Sequence, residues 1–111
     1  QGFDHWSILS GQKEQGDYYN PDFSENGRDI VEEGYVTDII TRKAIEFMDS
    51  AEGPFMLMCH HKAPHRNWMP APRHLGMFND TVFPEPESLF DDYSGRGEAA
   101  RSQDMSIAHT L

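Results

Sequence analysis

The chain has 111 residues, with 9 Lys and Arg against 19 Asp and Glu for a formal net charge of −10 at pH 7, and 37% of its residues are hydrophobic. That length, with a mean hydropathy of −0.71, leaves room for one small domain with a thin core, and the acidic balance excludes nucleic acid as a partner, because phosphate binding needs clustered Lys and Arg. A single cysteine excludes an internal disulfide, no basic and apolar leader is visible at Gln1-Gly2, and no apolar run approaches the roughly 20 residues that cross a membrane.

In chain order, Gly2 to Leu9 mix aromatic and apolar with polar residues, which predicts a short strand leading into a turn at Ser10-Gly11. The Gly-, Asn- and Asp-rich stretch through Gly34 predicts a loop or hairpin excursion holding Tyr18, Tyr19 and Phe23, and Glu32-Glu33 reads as solvated surface. A helix follows from Thr37 to Ser50. Thr37 suits its N-cap, Asp38 suits the positive end, and Val36, Ile40, Ala44, Phe47 and Met48 recur at helical spacing for the core, while Arg42 and Glu46 pair on the solvent side.

Gly53-Pro54 ends that helix and launches the apolar run Phe55 to Cys59, too short for a buried helix. It reads as an inner strand of a parallel sheet, so that helix and strand make the αβ half of a βαβ unit. Beyond Trp68 the chain turns Pro-rich at Pro70, Pro72, Pro84 and Pro86, with a helical turn or two around Arg73 to Phe78. Asp91 to Gly97 is turn-rich, and Glu98 to Leu111 reads as a helix with Ala100, Ile107 and Leu111 on one side. No internal repeat or low-complexity tract is visible.

The strand from Phe55 ends in His60, His61, Lys62 and His65, with Arg66 beyond. Ligands in open α/β sheets gather at the carboxyl ends of strands, so this end is aimed at an anion. Pro64 stiffens the loop that presents Lys62 and His65. A zinc site built from Cys59, His60, His61 and His65 is an alternative by residue type, but adjacent residues on an extended strand point to opposite faces and the spacing matches no familiar zinc pattern.

The pattern Pro54-Phe55, then His61, Pro64-His65 and Trp68, resembles the middle of type I sulfatases, within the alkaline-phosphatase-like superfamily. Gly2-Phe3-Asp4-His5-Trp6, Gly16-Asp17-Tyr18-Tyr19-Asn20-Pro21, Tyr35-Val36-Thr37-Asp38 and Leu89-Phe90-Asp91-Asp92-Tyr93 extend the match over nearly the whole chain in the family's order. It is most similar to bacterial members of the N-acetylglucosamine-6-sulfatase-like and arylsulfatase-like groups. The resemblance implies an α/β fold with a mainly parallel sheet flanked by helices, of which residues 1–111 are an internal segment rather than an independent domain. It also implies a sulfuric ester hydrolase acting on a sulfated carbohydrate, in the periplasm or outside the cell.

The family's nucleophile is a formylglycine made from a Cys/Ser-x-Pro/Ala-x-Arg motif, and its calcium is held by an early Asp-Asp pair and a later Asp-Asn or Asp-Gln pair. Neither set is present: Cys59 precedes His60-His61-Lys62, and Asp91-Asp92 comes after the Pro-His loop. Both are expected outside this segment, which alone is expected to be inactive and to fold only with the remainder of the domain. By resemblance His65 binds the sulfate or the leaving oxygen and helps protonate the leaving alcohol. Lys62 is a candidate for sulfate or a sugar hydroxyl, and Asn67 and Trp68 for the sugar. Two other readings stand beside this one. The first is a non-catalytic carbohydrate-binding or structural module using Trp6, Tyr18, Tyr19 and Trp68; the second is a segment of a related phosphodiesterase or phosphonate hydrolase.

Overall fold

The structure is a computed structural model and describes residues 2–10, 16–105 and 110. The chain divides into two compact units, residues 1–77 and 78–111.

In the first unit, β1 (Ser7–Ser10), β2 (Asp22–Glu25) and β3 (Arg28–Val31) form an antiparallel sheet in the order β1-β2-β3. The expected hairpin is β2 and β3. Its two-residue turn is Asn26-Gly27, with φ of 48° and 84°, the two positive angles that match the twist of paired strands. Register sets Leu9 opposite Phe23 and Phe23 opposite Ile30, so these three share one face, and that face turns to the core.

Helix α1 spans Val36–Ser50, close to its predicted bounds. Its N-cap is Tyr35 rather than Thr37. Tyr35 is extended and bridges Tyr19, and the Val36 N–H donates to the Tyr18 carbonyl at 2.8 Å, so a neighbouring segment satisfies the first helical donor. Thr37 lies one residue inside the helix, where its hydroxyl caps nothing.

Val36 and Ile39 are buried with Tyr18 and Phe23, and Leu9, Ile30, Tyr35 and Ile40 pack around them. Phe47 is half-buried and meets the Phe55 ring edge-on at 5.5 Å, whereas Met48, expected in the core, is exposed. The predicted Arg42–Glu46 pair forms at 3.1 Å. Glu32 is no simple solvated residue: it sits between Arg42 and Lys43, and the hydrogen bond from Lys43 holds its carboxyl below the usual range. Lys43 also pairs with Glu25 and lies over the Phe23 ring, tying helix to sheet.

Phe55 to Cys59, expected as an inner strand of a parallel sheet, pair with nothing here. The sheet observed is antiparallel, and among the described residues no strand lies alongside them. Burial of such a run needs neighbours on both edges and both faces, and Phe55, Met56, Leu57 and Met58 are instead exposed. A 3-10 turn at Pro72–His74 occupies the start of the predicted helical turns.

In the second unit Phe78 and Phe83 meet edge to face at 5.6 Å. Asp91 and Asp92 accept the Tyr93 and Ser94 N–H groups at 3.0 and 2.7 Å, building the expected turn. Helix α2 is Glu98–Arg101, much shorter than predicted. Ser102 closes it, its N–H donating to the Glu98 carbonyl at 2.9 Å and its hydroxyl to the same oxygen at 2.8 Å. Ile107 and Leu111 lie outside the described residues.

Candidate active site

The candidate residues follow the apolar run as one tight loop. The His65 N–H donates to the Lys62 carbonyl at 3.0 Å, which brings the two residues to the same turn. The Ala63–Pro64 and Arg66–Asn67 peptide bonds are cis. The His65 ring turns Nδ1 to the Arg66 carbonyl. A carbonyl only accepts, so Nδ1 carries a proton, and Nε2 is the nitrogen left to face a ligand.

Three tyrosines from the N-terminal half hold this loop by its main chain. Tyr18 donates its hydroxyl to the His65 carbonyl, Tyr35 to that of Met69 at 3.0 Å, and Tyr19 to that of Pro70 at 2.5 Å. Their rings pack together, Tyr35 lying 6.2 Å from Tyr18 and 5.3 Å from Tyr19 between centroids. Tyr18 is only 4% exposed. Burial, and then the neighbouring Tyr35, pushes its hydroxyl above the ordinary value of 10.0, so it remains a phenol donor. The Lys62 ammonium lies over the Tyr18 ring, 5.1 Å from its centroid.

Downstream, Ala71 is buried and Arg73 grips Asp38 of α1 with two bonds of 2.7 Å. Those hydrogen bonds hold the Asp38 carboxyl below its usual range. The loop is therefore fastened on both sides of Trp68. Asn67 and Trp68 face outward, the indole 56% exposed, and His65 is exposed as well.

The structure thus brings Lys62, His65, Asn67 and Trp68 to one loop. His60, His61 and Cys59 are exposed along the preceding run, and among the described residues no three His, Cys, Asp or Glu gather into a possible metal site. An apolar cavity of about 480 Å³, bordered by Leu9, Phe23, Phe47, Met56 and Cys59, includes none of the four candidates. Tyr18 is unsuited to stacking on a sugar, being buried with its hydroxyl engaged. Sequence reasoning missed the roles of Tyr18, Tyr19 and Tyr35 in holding the loop. Their acceptors lie 47, 51 and 34 residues along the chain, beyond any local pattern.

No family model matches the chain. It is 73% identical, over its entire length, to an N-acetylglucosamine-6-O-sulfatase of Bacteroides thetaiotaomicron, and spans 20% of that relative. A solved structure, described as bound to its substrate D-glucosamine-2-N,6-O-disulfate, matches with a TM-score of 0.92 and 72% identity, covering 100% of this chain and 23% of the other. In sequence and backbone alike, the chain matches an internal segment of these sulfatases.

Proposed function

We propose that this chain forms one wall of the active site of a carbohydrate sulfatase that cleaves a sulfate ester of glucosamine. The observation that supports this most is the 73% identity, sustained over the whole chain, to a relative named for N-acetylglucosamine-6-O-sulfate ester cleavage. The solved relative's glucosamine disulfate substrate agrees in class.

His65 is the catalytic residue in this reading. With Nδ1–H held by the Arg66 carbonyl, Nε2 meets the ester. As an imidazolium it would donate to the bridging oxygen and hand it a proton while an oxygen nucleophile from outside this segment bonds to sulfur and the S–O bond breaks, so that a neutral alcohol leaves and a neutral imidazole remains. Lys62 offsets the negative charge on the sulfate oxygens. Asn67 hydrogen-bonds sugar hydroxyls, and the open indole of Trp68 offers an apolar face to the sugar ring.

Sulfatases of the type resembled imply two groups that the residues present do not fit. Among the described residues no acidic cluster gathers for calcium, and Asp91 and Asp92 are committed to Tyr93, Ser94 and Arg96. Cys59 lies in a Met-Cys-His-His-Lys context that does not match the formylglycine motif. Calcium and formylglycine are proposed to come from chain beyond these 111 residues. Phe55 to Cys59 are proposed to enter a mainly parallel sheet once that chain supplies neighbours, a reading supported by their exposed apolar side chains. The enzyme is proposed to act in the periplasm or outside the cell.

The test is sulfate release from N-acetylglucosamine-6-O-sulfate by the full-length enzyme. His65→Ala is expected to lower kcat by about 10²- to 10⁴-fold with the thermal midpoint retained. Unchanged turnover in that variant, or a preference for phosphate diesters over the sulfate ester, would overturn the reading.

A further inference from the structure

Tyr18 makes two chemically distinct contacts with the candidate site. Its hydroxyl donates to the carbonyl of His65, and its ring face carries the ammonium of Lys62 at 5.1 Å. A phenylalanine would fill nearly the same buried volume and leave no hydroxyl to satisfy. What the hydroxyl adds is a fixed backbone at His65. Together with the His65 N–H on the Lys62 carbonyl at 3.0 Å and the Nδ1 bond to Arg66, it anchors both the stem and the ring of the imidazole. The ring face, in turn, narrows the range open to a lysine on a flexible four-carbon stem.

We infer that Tyr18 is a positioning residue of the sulfatase site, aligning His65 through its hydroxyl and Lys62 through its ring. This rests on the reading that His65 and Lys62 face the sulfate. The hydroxyl acts on proton delivery and so on kcat, whereas the ring acts on an anion contact made from the first encounter and so on KM.

The two arms separate in the full-length enzyme with N-acetylglucosamine-6-O-sulfate as substrate. Tyr18→Phe keeps the ring, and is expected to lower kcat by about tenfold to a hundredfold while KM moves less than about threefold. Introduced into His65→Ala, the same change should cost less than about twofold, because the group it positions is gone. An equal loss in both backgrounds overturns the inference, since a purely structural tyrosine would act so. His65→Ala with unchanged turnover would instead sink the functional reading, and the two failures are distinguishable. Tyr18→Leu, which removes the ring as well, should raise KM in the wild-type background but not in Lys62→Met. An equal rise in both rejects the ring arm. A measurement that leaves Tyr18 in place guards against variants that do not fold: the NMR resonances of ring-labelled Tyr18 should shift on Lys62→Met, and unmoved resonances also reject the ring arm.

Discussion

Asp38 serves two neighbours at once. It sits in the first turn of α1, where a carboxylate is favoured by the helix dipole, and it accepts both bonds from Arg73 beyond the Pro-His loop. The Arg73 hydrogen bonds depress its pKa below 3.8 in the fold. A depressed carboxylate contributes stability above its unfolded pKa and loses it as pH falls through the folded value. Asp38→Asn in the full-length enzyme should therefore be less stable than wild type at neutral pH, and the gap should close as pH falls below 3.8. Denaturant midpoints across pH 2 to 7 (about that range suffices) check this, and a gap independent of pH would reject it. Because both partners are exposed, the gap should also shrink in high salt.

At the level of elements, the β2–β3 hairpin depends on its turn. Gly27 has φ of +84°, a region in which a Cβ is strained even though nothing crowds the position. Gly27→Ala should cost about 1 kcal/mol of stability with little change in kcat, read from the unfolding midpoint and steady-state rates. This turn was half legible in the sequence: the Asn-Gly pair marks a hairpin, but the polar strands beside it carry a weak alternation. Helix α1 was legible because its apolar spacing is local, from Val36 to Phe47. Its cap was not, since the Val36 donor is met by Tyr18 across a bridge that no helix signal encodes. Of the predicted C-terminal helix, only Glu98–Arg101 is helical among the described residues. Lys62 and His65 were readable as a pair because they share one turn. The tyrosines beneath them were not, because their hydroxyls act on acceptors more than thirty residues away, at separations of 34 to 51.

For the whole molecule, the run Phe55 to Met58 encodes burial, yet beyond the edge of Phe47 on Phe55 its side chains stay exposed. Val82, Phe83 and Phe90 in the second unit are similarly exposed. The isolated 111-residue chain is therefore expected to unfold without a sharp thermal transition and to bind a hydrophobic dye, unlike the full-length enzyme. A sharp transition, raised further by free glucosamine sulfate, would instead indicate an autonomous carbohydrate-binding module.

The grip on the Pro-His loop falls on carbonyl oxygens of His65, Met69 and Pro70. A carbonyl is the same group whatever side chain its residue carries. The clamp is thus blind to the outward residues between its anchor points, Asn67 and Trp68 among them. On the proposed reading, in which Asn67 and Trp68 meet the sugar, substitution there would alter substrate preference while the scaffold that aims His65 stays as it is, and the loop becomes the place to retune such an enzyme towards another sulfated sugar.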